Sequence, residues 1–132
     1  MRQWTVAIVD DDPIVLRIVH KRLIRIGQVR VLTAETGKIG LALIEKEKPD
    51  AIILDHLLPD TDGLTLCKTI KANPDLLELP VLFFSSFGEF GFVHAVEAAG
   101  ALRVIPKTEM TELVNAVEKL KIQSEKPKEL KA

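Results

Sequence analysis

The sequence has one cysteine, one tryptophan, no tyrosine and almost no net charge: 18 lysines and arginines against 19 aspartates and glutamates leave a formal charge of −1. A lone thiol, Cys67, excludes an internal disulfide, so stability has to come from a packed core. Balanced charge offers no basic field for a phosphate backbone or an anionic lipid surface, which argues against direct nucleic-acid or membrane partners. No apolar run is long enough to span a bilayer and no secretory signal is visible, so the cytoplasm is the expected compartment. Internal repeats and low-complexity blocks are also missing.

What is present is 47% hydrophobic residues in a chain of 132, enough for one core and one domain. Ala7-Ile8-Val9, Val29 to Thr33, Ala51 to Leu54, Val81 to Phe84 and Leu102 to Ile105 read as five strands, most of them nearly continuous apolar runs. Between them stand helical patterns: Leu16, Val19, Leu23 and Ile26 after an Asp12 cap and Pro13; Ile39, Leu43 and Ile44; Leu66 and Ile70, with Cys67 as a small packed hydrophobe; Phe92, Val93 and Val96; and Met110, Leu113, Val117 and Leu120. Five βα units predict a flavodoxin-like doubly wound αβα sandwich, an α/β fold whose five-stranded parallel sheet has the order 2-1-3-4-5. The domain is expected over residues 1–122, with 123–132 as a charged tail or the start of a linker.

Polar groups collect at the strand ends. The first strand runs into Asp10 and Asp11, the third into Asp55, the fourth into Ser85 and the fifth into Lys107. In the 2-1-3-4-5 order the first and third strands are neighbours, which sets their terminal carboxylates roughly 5 Å apart at the switch point where such sheets bind ligands. Converging acids need a cation, and oxygen-only donors at a wet rim suit Mg²⁺. A carboxylate beside Mg²⁺, an ammonium and a hydroxyl is equipped to attack phosphorus, giving an aspartyl phosphate.

The motifs Ile8-Val9-Asp10-Asp11-Asp12-Pro13, Leu54-Asp55-His56-Leu57-Leu58-Pro59-Asp60-Thr61-Asp62-Gly63, Leu79 to Ser86, Gly100-Ala101 and Lys107 resemble the receiver domains of two-component response regulators, over Val6 to about Leu120. The resemblance implies Asp55 as phosphoacceptor, Asp11 as a direct Mg²⁺ ligand, Asp10 as a ligand through water and the Leu57 backbone carbonyl as a further ligand. It implies that Ser85 and Lys107 bind phosphoryl oxygens. It also implies a sensor histidine kinase or phosphotransfer protein as donor, and a downstream protein at the face of helix four, strand five and helix five. The module would be a regulatory phosphoacceptor, not an enzyme acting on other molecules, and a monomer or a weak phosphorylation-dependent dimer.

The departures carry their own expectations. Val104 stands where many receivers place a switching Tyr or Phe. Lys107-Thr108 replaces the family's Lys-Pro pair, with Pro106 one residue earlier, which predicts a changed aim for Lys107. Leu57 and Phe87, two residues past Asp55 and Ser85, are apolar where polar side chains would orient a hydrolytic water, so a slowly lost phosphoryl group is expected. Two other readings compete: a haloacid dehalogenase-type phosphatase using Asp10 of the Asp10-Asp11-Asp12 run, and an unphosphorylated pseudo-receiver scaffold. His20, His56 and His94 are expected to be exposed and without a role, Asp60 and Asp62 to shape a turn, and the Phe87, Phe90 and Phe92 cluster to pack under its own loop.

Overall fold

Branched aliphatic side chains dominate the stretches that become strands: β1 (Trp4–Val9), β2 (Val29–Ala34), β3 (Ala51–Leu54), β4 (Val81–Ser85) and β5 (Arg103–Pro106). They alternate with helices α1 (Pro13–Ile24), α2 (Gly37–Glu47), α3 (Gly63–Ala72), α4 (Phe90–Ala98) and α5 (Met110–Glu125). This is a computed structural model, and it describes residues 3–86 and 90–126. Phe87 lies outside the described residues.

All strand pairs are parallel and the sheet order is β2-β1-β3-β4-β5, as the alternating pattern predicts. The sheet divides the core in two. On one side Leu23, Val19, Leu113 and Val117 of α1 and α5 pack on Val6, Ile8, Ile53 and Phe84. On the other, Ile44, Leu66, Cys67, Ile70 and Val96 of α2, α3 and α4 pack on Val9, Ile52, Leu54 and Phe83. Every β3 side chain is fully buried, which is why that strand shows no alternation. Each such aliphatic or aromatic side chain contributes about 1.5–3 kcal/mol.

Side-chain caps start three helices. Asp12 accepts from the Ile14 amide (2.9 Å), Thr36 from that of Ile39 (3.1 Å) and Asp62 from that of Thr65 (2.7 Å). Two expectations need correction. Ile39 is not core: it is 57% exposed, and the buried residues of α2 are Gly37, Gly40 and Ile44. The fifth strand starts at Arg103, and Leu102 lies before it, half-exposed. Helix α5 runs from Met110 to Glu125. Among the described residues no helix is long and apolar enough to cross a membrane.

Candidate functional site

Strand register builds the site. Val6–Val9 pair with Ala51–Leu54, so β1 and β3 end level; Leu54 pairs with Phe83, and β4 runs two residues further to Ser85. One further ladder bond holds the residue that follows each of β1, β3 and β5: the Asp10 amide donates to Ala34 O, the Asp55 amide to Val9 O and the Lys107 amide to Ser85 O, each at 3.0 Å. Asp10, Asp55 and Ser85 are the buried polar groups at this edge, while Asp11 is exposed. Carboxylate oxygens of Asp10, Asp11 and Asp55 lie within 4.8 Å of one another.

Lys107 enters this cluster directly. Its Nζ lies 2.9 Å from Asp10 Oδ2 and 3.0 Å from Asp55 Oδ2, so the replacement of Lys-Pro by Lys-Thr does not turn it away. The ladder bond from the Lys107 amide continues the strand geometry past Pro106 and supplies the physical reason. Burial disfavours the Lys107 ammonium, yet the Asp10 and Asp55 carboxylates more than offset it and raise its pKa. Burial also raises the pKa of Asp10; the Asp12 amide (2.9 Å) and Lys107 oppose this, and the Asp55 charge adds to it.

His56, expected to be exposed and without a role, is part of the same group. Its backbone amide donates to Asp55 Oδ1 (2.8 Å), and its ring Nδ1 lies 3.1 Å from that oxygen and 2.6 Å from Ser85 Oγ. The ring meets Phe92 of α4 edge-to-face at 5.9 Å, and Phe92 meets Phe83 in the same way. Phe92 thus packs on the site and the core. Strand alternation would send Asp55 and His56 to opposite faces; β3 ends at Leu54, so alternation no longer governs them. His20 and His94 are exposed.

The loop after Asp55 is held from both ends. Leu57 is 64% exposed and forms an isolated antiparallel bridge with Asp62. Asp62 caps α3. Asp60 does more than shape a turn: it accepts from the Gly37 and Lys38 amides (2.8 and 2.9 Å), tying this loop to the start of α2. Those amide bonds lower the pKa of Asp60, and the Thr65 amide lowers that of Asp62. The Gly63 amide donates to His56 O (2.9 Å).

The donor set fits a hard divalent cation. Three carboxylates converge, two buried and one open to water, with no sulfur or imidazole among the three.

A family model described as the response regulator receiver domain matches residues 6–118. The chain belongs to that family. The solved structure of a protein described as a response regulator from Chloroflexus aurantiacus J-10-fl is 36% identical, covers 89% of this receiver and 97% of its own chain, and superposes with a TM-score of 0.80. A protein-glutamate methylesterase/protein-glutamine glutaminase of Trichodesmium erythraeum is 36% identical over 99 residues, 74% of this receiver and 28% of the relative. The two-component response regulator ORR3 of Oryza sativa is 38% identical over 77 residues, 58% of this receiver and 59% of the relative. The receiver therefore spans less than two thirds of the length of these curated relatives.

Proposed function

We propose that this receiver is a phosphoacceptor of two-component signalling that takes a phosphoryl group on Asp55 from a phosphohistidine of a sensor histidine kinase or phosphotransfer protein. The observation that carries the reading is the setting of Asp55: a buried carboxylate at a strand end, 3.0 Å from the Lys107 ammonium and grouped with Asp10 and Asp11. An Asp55 oxygen forms the new O–P bond while the P–N bond of the donor breaks, its electron pair remaining on the donor imidazole. Mg²⁺, held by Asp11 and Asp55 directly, by Asp10 through water and by the Leu57 carbonyl, would neutralise charge on the transferring group. Lys107 would exchange its carboxylate contact for a phosphoryl oxygen, and Ser85 would donate to another.

In this reading residues 1–122 are the receiver domain and 123–132 a tail or linker start. The output is a protein–protein contact at the face of α4, β5 and α5, made in the cytoplasm by a monomer or a weak phosphorylation-dependent dimer. The module regulates and is not an enzyme for other substrates.

Treatment with acetyl phosphate and Mg²⁺, followed by borohydride trapping and peptide mapping, tests it. Label at Asp55, lost in Asp55→Asn, is expected. Label at Asp10 would favour the phosphatase chemistry, and no label at all the scaffold.

A further inference from the structure

We infer that His56 couples the state of Asp55 to helix α4, in place of an aromatic side chain on β5; the inference rests on the phosphoacceptor reading of Asp55. Val104 occupies the β5 position of that aromatic, and an aliphatic side chain has no polar tip with which to follow the Ser85 hydroxyl. The chain has no tyrosine that could replace it. His56 has both ends of such a link. Its Nδ1 is 3.1 Å from Asp55 Oδ1 and 2.6 Å from Ser85 Oγ, and its ring stands edge-to-face with Phe92 of α4 at 5.9 Å and 76°.

Proton accounting makes the contact sensitive to phosphorylation in either tautomer. When Nδ1 carries the hydrogen it donates to Asp55 Oδ1 or to Ser85 Oγ. Forming the acyl phosphate removes the carboxylate charge and leaves Asp55 Oδ1 a weaker acceptor. When Nδ1 is bare it accepts the single Ser85 hydroxyl hydrogen, and turning that hydrogen to a phosphoryl oxygen withdraws it from the ring. Both cases alter the bonding that orients the imidazole. Reorientation changes the Phe92 contact, and Phe92 is wedged between His56 and Phe83, 5.9 Å from each ring. Helix α4 therefore feels the change through Phe92. A ring contact of this kind biases a two-state equilibrium by roughly two- to tenfold, a share large enough to be a principal element of the switch.

The test is amide and imidazole NMR of the whole chain before and after addition of beryllofluoride with Mg²⁺, a mimic of the phosphoryl group. In the wild type the His56 Nδ1 resonance, the Ser86 amide and the amides of residues 92–98 are expected to shift together. His56→Phe keeps a ring against Phe92 but lacks the nitrogen; Phe92→Leu keeps the nitrogen but lacks the ring. In each the Ser86 shift should persist while the α4 shifts fall by roughly two- to tenfold. Full α4 shifts in either variant, or an unmoved Nδ1 resonance in the wild type, would overturn the inference and leave Asp55 as acceptor. If His56→Phe does not fold, Phe92→Leu decides alone. If the wild type shows no shift even at Ser86, the phosphoacceptor reading fails first and takes the inference with it.

Discussion

Replacing Gly63 by alanine sets two known effects against each other, and the structure decides which prevails. Gly63 is the first residue of α3, where alanine favours the helix by up to about 1 kcal/mol. A methyl built there would lie 2.0 Å from the Asp55 carbonyl oxygen and 2.9 Å from Cε2 of Phe83. Neither neighbour gives way easily. Moving the Asp55 carbonyl strains a peptide whose own amide, His56 N, donates to Asp55 Oδ1 (2.8 Å), with Asp55 N bound to Val9 O (3.0 Å) before it and His56 O accepting from Gly63 N (2.9 Å) after it. The Phe83 ring is fully buried. Overpacking of this kind costs about 1–3 kcal/mol and sometimes more, so the net expectation is a loss of about 2 kcal/mol, a drop in Tm of roughly 8 °C for a domain of this size. Urea denaturation followed by far-ultraviolet circular dichroism measures it, with Gly91→Ala as control. Gly91 lies in α4 with nothing among the described residues within 4 Å of its added methyl, so that variant should gain a few tenths to about 1 kcal/mol. A Gly63→Ala midpoint equal to or above that of the wild type would refute the steric argument and show that helix propensity dominates.

Lys107→Met leaves Asp10 and Asp55 without the ammonium between them; at pH 7 without metal it should cost about 1–3 kcal/mol, with part recovered as the pH falls and Asp10, whose pKa is already raised by burial, takes up a proton, both read from denaturant midpoints. Because the folded-state pKa of Lys107 is raised, its contribution is complete below the ordinary lysine value of about 10.4 and is lost as pH climbs through the raised one, so wild-type stability should decline there and that of Lys107→Met should not. At the acid end the lowered pKa values of Asp60 and Asp62 give stability that is present above about pH 4 and lost as pH falls through the depressed values; Asp60→Asn should flatten that limb, and an unchanged limb would discount the contact with α2. Asp11→Ala should weaken Mg²⁺ binding by at least roughly tenfold in calorimetric titration while leaving the metal-free fold as stable as before, since Asp11 is exposed among like charges. Leu57→Asn should speed loss of radiolabelled phosphate from Asp55 by offering a hydrogen bond to the attacking water; an unaltered decay would reject apolar shielding as the cause of a long lifetime.

The strand order and the gathering of Asp10, Asp55 and Lys107 were legible because both follow from period and topology: unbroken Ala51 to Leu54 needs cover on two faces, and a parallel order sets the strand ends side by side. Side-chain facing within helices was less so. In α2 the large residue Ile39 suggested the core, yet the close contact is made by Gly40, whose added methyl would stand 2.7 Å from Val9 Cγ2. A missing side chain leaves no mark in a hydrophobic pattern. His56 escaped for a different reason: its importance lies in contacts with Ser85, 29 residues away in sequence, and with Phe92 beyond it, which no local spacing encodes. The long-range bonds of Asp60 to Gly37 and Lys38 escaped in the same way.

The amide bonds that Asp10, Asp55 and Lys107 make one step beyond their strands have a consequence for which length changes this chain can tolerate. The carboxylates meet because β1 and β3 deliver them at matching heights, and the Lys107 side chain reaches back to them from two residues further along the sheet. A single-residue insertion in β1 or β3 would move a carboxylate by about 3.3 Å along the sheet and turn it to the opposite face, emptying its place beside Lys107. Insertions in the loops at the far edge of the sheet, where α1 leads into β2 or α2 into β3, leave those heights untouched. Relatives that keep this acid–lysine group are therefore expected to differ in length at that far edge, and insertions there are the natural places to graft a tag or a second domain without disturbing it.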